Sequence, residues 1–183
     1  MSVEIISLIQ VKSLGQWLRI WVLYKDAFPA SERKPFGIIF KMAKQGKTDI
    51  WVIQCDGKFA GFGATINSPE LVLLDYFAVR KSLRGRGVGT AALVKLMERY
   101  ADRGVFVEIE GTWEAGADLE AREKRKRFYQ EVGMEELPVR AEVFGVNMEL
   151  LAVRYSLDFE GYRDFYRKHY SSWAAEHILP VSQ

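Results

Sequence analysis

The sequence has few of the residues that build disulfides and metal sites. Cys55 is the only cysteine, and His169 and His177 are the only histidines among 183 residues. A single cysteine excludes an internal disulfide and a cysteine-built zinc site, and two histidines argue against a histidine metal site. We therefore expect no bound metal and a cytoplasmic location.

Long apolar runs and a strong net charge are also missing. No apolar run approaches the ~20 residues that span a bilayer, and the first ten residues, with Glu4 and no basic residue, do not resemble a secretory signal. The chain has 26 basic and 24 acidic residues, a net charge of +2, which is too weak to indicate nucleic-acid binding. We expect neither a membrane nor a nucleic acid as a partner.

Charge is instead gathered into blocks within an ordinary globular composition of 49% hydrophobic and 27% charged residues. The length predicts a single domain over residues 1–183. A basic block lies at Arg80–Arg86, an acidic block at Glu108–Glu120, and a second basic run at Lys124–Arg127. This segregation indicates a site with one anionic and one cationic partner, although solvated faces produce the same pattern.

The hydrophobic pattern predicts a layered α/β (α+β) domain. The apolar run Leu71–Val79 is typical of a central strand, the apolar spacing in Thr90–Arg103 predicts a helix, and Asp56-Gly57 predicts a hairpin turn. The other expected strands and helices are Val3–Ile9, Leu14–Ala27, Phe36–Gln45, Asp49–Cys55, Lys58–Ile66, Val105–Glu110, Ala117–Val132, a hairpin ending near Val153, and Asp158–Tyr170.

A glycine-rich basic loop follows the predicted central strand, with the sequence Arg84-Gly-Arg-Gly-Val-Gly-Thr90. Glycines allow a close approach to a ligand, and the first amides of the next helix attract an anion, so the loop predicts a phosphate site. A P-loop is excluded because Gly89 is followed by Thr90 without a lysine. A Rossmann-type nucleotide-binding protein is one alternative, although its first glycine belongs directly at the strand end.

The segment Arg84–Gly89 resembles the Gln/Arg-x-x-Gly-x-Gly/Ala motif of the GNAT superfamily of acetyl-CoA-dependent N-acetyltransferases. Phe128–Met134 is similar to that family's Tyr-containing segment, with Met134 where phenylalanine is usual. The resemblance covers roughly residues 27–145. The chain also resembles a less-characterised bacterial branch of the superfamily, at Ala27–Phe36, Leu74–Val79, Val107–Glu110 and Val143–Val146. The resemblance implies a mixed, mostly antiparallel central sheet flanked by helices, with a C-terminal helical extension.

The resemblance also implies the roles of several residues. Acetyl-CoA would be the co-substrate, and the acceptor would be an amine of a small molecule or peptide. Tyr129 matches the general acid that protonates the leaving thiolate, and a phenol with a pKa near 10 is a proton donor at neutral pH. The backbone of Phe77, Ala78 and Val79 would pair with the pantetheine arm, and the amides of Arg84, Gly85, Arg86, Gly87, Val88, Gly89 and Thr90 would hold the pyrophosphate.

Three acidic residues are candidates for the general base. Glu108 and Glu110 share one face of a predicted strand, and Asp75 lies on the central strand. Each either accepts the proton from the amine or binds a cationic acceptor, and the two glutamates alternatively pair with basic residues such as Arg122 or Arg125. We favour Glu110 because it lies nearer the carboxyl end of its strand.

Two loops are candidates for contact with the acceptor. Glu32 and Arg33 resemble the acceptor-side loop of the family and are expected to clamp a substrate, with an ordinary exposed loop as the alternative. The acidic segment Gly111–Leu119 fits either a lid or a solvated loop. Arg122 stands where many relatives carry an asparagine that contacts the pantetheine arm, so that contact is not carried over.

The sequence thus predicts an N-acetyltransferase that moves an acetyl group from acetyl-CoA to a primary amine by direct attack. The alternative within the same fold is a non-catalytic acyl-CoA sensor or regulatory protein. The expected oligomeric state is a monomer or homodimer.

Overall fold

The computed structural model describes residues 4–30 and 33–181. The chain divides into two compact units, Met1–Ala101 and Asp102–Gln183, and each is described by itself. The expectation of a single domain over residues 1–183 stays a prediction.

The first unit contains four strands, β1 (Ile6–Gln10), β2 (Thr48–Cys55), β3 (Lys58–Asn67) and β4 (Leu71–Val79). They are neighbours in chain order, and every pair is antiparallel. The first four residues of β4 are buried, as its continuous apolar run predicts.

Three helices belong to the first unit: α1 (Leu14–Ala27), α2 (Phe36–Lys44) and α3 (Val88–Arg99). Helix α1 begins with a capping box in which Ser13 and Gln16 satisfy each other's backbone amides. Its buried face, which includes Ile20 and Tyr24, packs in one core with residues of β2, β3 and β4.

A β-bulge interrupts the pairing of β3 with β4. Ala64 lies opposite Tyr76 while Thr65 lies opposite Leu74, so the register shifts at Asp75. A bulge re-aims side chains and often lies beside an active site. The tertiary pairing, and not the sequence, places this irregularity at a candidate base.

The second unit contains β5 (Gly104–Glu110), β6 (Glu135–Val143), β7 (Val146–Val153) and β8 (Ile178–Pro180), in the order β5-β7-β6-β8 with antiparallel pairs. Its helices are α4 (Leu119–Gln130), α5 (Phe159–His169) and α6 (Ser172–Glu176). The sequence-based prediction missed α6 and β8, which have only five and three residues.

The expected fold class, a mixed α/β structure with mostly antiparallel strands and flanking helices, is confirmed. Among the described residues, no group of three or more His, Cys, Asp or Glu side chains is arranged to hold a metal ion. The same part of the chain includes no helix whose length and apolar character would allow it to span a membrane.

Candidate active site

The glycine loop connects β4 to α3 through a short 3₁₀ turn at Lys81–Leu83. Gly87 is the N-cap of α3 and has φ 79°, in the left-handed region that favours glycine. The glycine at this position therefore allows the chain to leave the loop and enter the helix without steric strain.

The first turn of α3 leaves backbone amides available. The first intrahelical bond runs from the Ala91 amide to the Gly87 carbonyl, 2.9 Å away, so the amides of Val88, Gly89 and Thr90 have no acceptor within the helix. The first turn contains no acidic residue, and Gly87 provides no side-chain cap. This helix start fits an anion such as a phosphate.

The two arginines of the loop differ in their contacts. Arg84 Nε donates a hydrogen bond to the Val79 carbonyl, 3.0 Å away, which ties the loop to the end of β4. Arg86 forms an ion pair with Glu4. Both arginines are exposed, and two guanidinium groups beside the helix start add positive charge to the candidate phosphate site.

Asp75 is held by a network on its own unit. Its Oδ1 atom lies 2.6 Å from Lys34 Nζ, and only 9% of the Asp75 side chain is exposed. The Lys34 amide donates to the Tyr76 hydroxyl, and the Tyr24 hydroxyl donates to the Lys34 carbonyl. Burial raises the pKa of both tyrosines above the ordinary value, so both remain protonated at neutral pH.

The predicted acceptor loop is described only in part. Glu32 lies outside the described residues. Arg33 is half-buried, and its Nε atom is buried with no hydrogen-bond partner among the described residues. A buried guanidinium N–H without an acceptor is costly, so Arg33 has donor capacity for a polar ligand.

Glu108 is bound by two tyrosines that the sequence-based prediction did not connect with it. Tyr162 donates to Oε1 at 2.6 Å and Tyr166 donates to Oε2 at 3.0 Å. Burial raises the pKa of Tyr162 well above its ordinary value, and the neighbouring Glu108 carboxylate raises it further. The four-residue spacing of the two tyrosines on α5 was the available signal, since it places both on one helix face.

Glu110 has a looser environment than Glu108. Its Oε2 atom lies 4.0 Å from Nη1 of Arg125, and 26% of its side chain is exposed. This long, partly solvated ion pair leaves the carboxylate accessible to a further cationic or hydrogen-bonding group.

Tyr129 is buried near the end of α4, with 6% of the residue exposed. Burial raises the pKa of its phenol to about 12, and the nearby Arg125 partly offsets this rise. Its hydroxyl has no hydrogen bond to any described residue. The group is therefore a protonated phenol at neutral pH with its donor unused within the described chain.

The second basic run does not simply face solvent. Lys126 Nζ lies 2.9 Å from Glu149 Oε2 and 2.6 Å from Glu136 Oε2, and only 1% of Glu149 is exposed. Burial lowers the pKa of Lys126, but hydrogen bonds to both carboxylates raise it by more, so the net shift is upward. No local sequence pattern predicts this pairing, because the partners lie on β6 and β7.

Comparison with known proteins identifies the family. Residues 17–134 match the family described as "Acetyltransferase (GNAT) family". The chain belongs to the GNAT acetyltransferase family. The alternative of a Rossmann-type nucleotide-binding protein is therefore wrong, in agreement with the antiparallel pairs of each unit.

Individual relatives agree with this assignment. The L-2,4-diaminobutyric acid acetyltransferase of Nocardia farcinica is 30% identical over 102 residues, which are 54% of this chain and 52% of that protein. The chain thus spans about half the length of this curated relative. A Bacteroides thetaiotaomicron protein named as a GNAT-family acetyltransferase has a TM-score of 0.77 at 20% identity and covers 92% of this chain and 98% of its own.

A third relative was solved with the donor bound. Arabidopsis thaliana NAA60 in complex with acetyl-CoA has a TM-score of 0.61 at 14% identity, covering 81% of this chain and 98% of that chain. At this identity the likeness shows the GNAT fold alone. Acetyl-CoA is the ligand that this neighbour's name gives.

Proposed function

We propose that this GNAT acetyltransferase moves the acetyl group of acetyl-CoA to a primary amine of a small molecule or peptide by direct attack. The amine nitrogen bonds to the thioester carbonyl carbon, and the C–S bond breaks. The amine loses a proton to a base, and the departing thiolate of CoA gains a proton from an acid. No covalent acyl-enzyme is needed.

The observation that carries the proposal is the unused hydroxyl of Tyr129. The buried tyrosines Tyr24, Tyr76, Tyr100, Tyr162 and Tyr166 all have hydrogen bonds on their hydroxyls. Tyr129 alone among the buried tyrosines of the described residues has none. Its pKa of about 12 keeps the proton on the phenol at neutral pH, so the hydroxyl is a donor that can protonate the departing thiolate.

We assign the base to Glu110. Asp75 is held by Lys34 at 2.6 Å, and Glu108 accepts from two tyrosine hydroxyls. Glu110 has its counter-charge 4.0 Å away, which leaves its oxygens more available to an incoming amine, directly or through a water molecule. Glu108, on the same strand, then contributes negative charge that attracts a cationic acceptor.

The donor is assigned to the loop and strand of the first unit. The amides from Arg84 to Thr90 hold the pyrophosphate, with the start of α3 as the anion site. The backbone of Phe77, Ala78 and Val79 pairs with the pantetheine arm as an added strand would. Backbone pairing needs no polar side chain, which agrees with the apolar character of these three residues.

The acceptor class follows from chemistry and from one relative. The named substrate of the Nocardia farcinica relative, L-2,4-diaminobutyric acid, carries primary amines. Glu110 and Glu108 on β5 favour a cationic group. Arg33 is proposed as a donor to a carboxylate or carbonyl oxygen, because its Nε atom has no partner among the described residues. Glu32 beside it is assigned to the same contact.

The test is a thiol-release assay with acetyl-CoA against L-2,4-diaminobutyrate, polyamines, amino sugars and short peptides. We expect turnover with at least one amine, and a fall in kcat of about a hundredfold in Tyr129→Phe because general acid catalysis is lost. Tyr155→Phe is the matched control, since Tyr155 is 37% exposed.

Two outcomes contradict the proposal. Unchanged kcat in Tyr129→Phe removes the general-acid assignment. Binding of CoA in calorimetry without transfer to any amine of the panel favours an acyl-CoA sensor with the same fold.

A further inference from the structure

Helix α4 is unusual because it has almost no apolar face. Its sequence is LEAREKRKRFYQ, and its two buried residues are Arg122 and Tyr129. They are seven residues apart, nearly two turns, so they lie on the same side of the helix. Hydrophobic burial does little to orient such a helix, and its polar contacts must therefore fix its position.

Lys126 provides one set of these contacts, to Glu136 and Glu149, and Arg122 provides another. Its Nη1 atom donates to the Gly111 carbonyl, and its Nη2 atom donates to the Glu114 carbonyl at 3.1 Å. Nη2 also lies 3.2 Å from Asp118 Oδ1. One guanidinium thus binds the start, the middle and the end of the connection Gly111–Asp118, which we call the β5–α4 loop.

Burial makes this guanidinium hard to replace. Arg122 is 8% exposed, so removing it leaves loop carbonyls without donors in a dry environment. Asp118 is the N-cap of α4 but does not cap the helix with its side chain, because its carboxylate pairs with Arg122 instead. A lysine carries a compact ammonium and cannot reproduce the planar fork.

Gly116, on the loop, lies directly against the Arg122 guanidinium. A Cβ atom at this position would lie 2.7 Å from Arg122 Nη2 and 3.2 Å from Asp118 Oδ1. Any side chain here pushes the guanidinium away from its partners. We call the contacts of Arg122 with Gly111, Glu114 and Asp118 the clamp. Gly116→Ala therefore disturbs the clamp without removing a charge.

The other contacts of the loop attach it to β7. The Gly111 amide donates to the Asn147 carbonyl at 2.8 Å, and the Thr112 amide donates to Oε1 of the buried Glu149 at 3.1 Å. The loop is anchored to β7, and Arg122 anchors α4 to the loop. The position of α4 relative to β7 therefore depends on the clamp.

We propose that Arg122 is a positioning residue for acetyl transfer: its clamp on the β5–α4 loop sets the place of α4 and, through it, the place of the Tyr129 hydroxyl. This inference rests on the proposed function, in which Tyr129 is the general acid. It also gives the β5–α4 loop a structural role, with Glu114 to Asp118 exposed to solvent.

A spectroscopic test needs no acceptor. Protein labelled with 3-fluorotyrosine is studied by ¹⁹F NMR, and the Tyr129 resonance among the eight tyrosines is assigned by its loss in Tyr129→Phe. We expect this resonance to shift or broaden in Arg122→Ala and in Gly116→Ala. Guanidinium added at non-denaturing concentration should restore the position in Arg122→Ala but not in Gly116→Ala.

Glu123→Ala is the control, because Glu123 lies on the exposed side of α4 and pairs only with Arg127 at 3.6 Å. Its Tyr129 resonance should stay where it is in the wild-type protein. A Tyr129 resonance that is unmoved in both Arg122→Ala and Gly116→Ala overturns the inference. Should Arg122→Ala fail to fold, Arg122→Lys takes its place with Gly116→Ala.

A kinetic test uses the amine with the fastest thiol release in the screen. Arg122→Ala should lower kcat by about tenfold to a hundredfold, as expected for a displaced catalytic group, while KM for acetyl-CoA changes by less than about twofold. In a Tyr129→Phe background the same substitution should cost almost nothing more. If Arg122→Ala lowers kcat as much in the Tyr129→Phe background as in the wild-type protein, only the positioning role is wrong. If Tyr129→Phe alone leaves kcat unchanged, the general-acid assignment is wrong.

Discussion

Single side chains in this protein differ mainly in whether their polar atoms have partners inside the protein. Glu108 has both carboxylate oxygens bound by tyrosines, while the Tyr129 hydroxyl has no partner among the described residues. Internal hydrogen bonds favour a structural role and unused donors favour a ligand. This difference, more than residue type, separates the supporting residues from the proposed acid.

Asp75 allows a prediction at this scale. Its ion pair with Lys34 is 2.6 Å long, and 9% of the Asp75 side chain and 27% of the Lys34 side chain are exposed. We expect Asp75→Asn to lower the free energy of unfolding by about 1–3 kcal/mol, because a largely buried ammonium loses its charged partner. Urea denaturation measures the change.

Asp26→Asn is the control for Asp75→Asn. Asp26 also pairs with a lysine, but both side chains are largely exposed, so the expected change is within about 0.5 kcal/mol. Equal effects of the two substitutions would show that the Lys34 pair adds no stability through burial.

At the scale of elements, the start of α3 combines a stability effect with a binding effect. Its first turn has no acidic residue, although an acidic residue there stabilises most helices through the helix dipole. An anionic ligand at these amides would supply the same kind of stabilisation. The helix thus forgoes a small stabilisation at the position where the phosphates are proposed to bind.

Thr90→Glu tests whether the amides at the start of α3 bind an anionic ligand at the expense of helix stability. The new carboxylate should raise the free energy of unfolding by about 0.3–1 kcal/mol through the helix dipole. It should also weaken CoA binding by about tenfold, because it repels the phosphates and competes for the same amides. Denaturation and isothermal titration with CoA measure the two effects, and Thr90→Gln controls for size. Unaltered affinity in Thr90→Glu would place the phosphates elsewhere.

At the scale of the whole molecule, buried tyrosines make stability depend on alkaline pH. Burial raises the pKa of Tyr24, Tyr76, Tyr100, Tyr129 and Tyr162 above the ordinary 10.0. These phenols ionise in the unfolded chain before they ionise in the folded one. Their contribution to stability is therefore complete below pH 10 and is lost as the pH rises above it.

For Tyr129, the size of this lost contribution to the free energy of unfolding follows from its pKa. With a folded pKa of about 12 against 10.0, ionisation of Tyr129 in the unfolded chain lowers stability by about 3 kcal/mol between pH 10 and pH 12. We expect the free energy of unfolding, from urea titrations at pH 8 to pH 11, to fall with pH, and to fall less steeply in Tyr129→Phe. Titration of all eight tyrosines near pH 10 in folded protein, seen at 295 nm, would contradict this expectation.

Most of the fold was predictable because its elements have strong local signals. The run Leu71–Val79 is a strand with the predicted bounds, and Leu14–Ala27 is a helix with the predicted bounds. Helix α3 ends at Arg99 and not at Arg103. Beyond it, Tyr100 leaves the helical conformation, and its hydroxyl takes a hydrogen bond from Trp51, a contact that no local pattern reveals.

The candidate site was predictable only in its residue types. Glycine spacing and the segment around Tyr129 indicated the donor loop and the acid, because both are local in sequence. Neither the partners of Glu108 on α5 nor the clamp of Arg122 on the β5–α4 loop was predictable. Those contacts join residues that lie between eight and 58 positions apart.

The sequence by itself determined the family, the order of strands and helices, and the chemistry available along the chain. Periodicity, turn residues and a short glycine motif act over a few residues, so they can be recognised without a structure. Only the tertiary structure decided which charged side chains have partners inside the protein. It paired Asp75 with Lys34, Glu108 with tyrosines and Arg122 with a loop, and it left the Tyr129 hydroxyl without a partner among the described residues. The physical reason is that burial and hydrogen bonding belong to the neighbours that folding supplies and not to the residue itself.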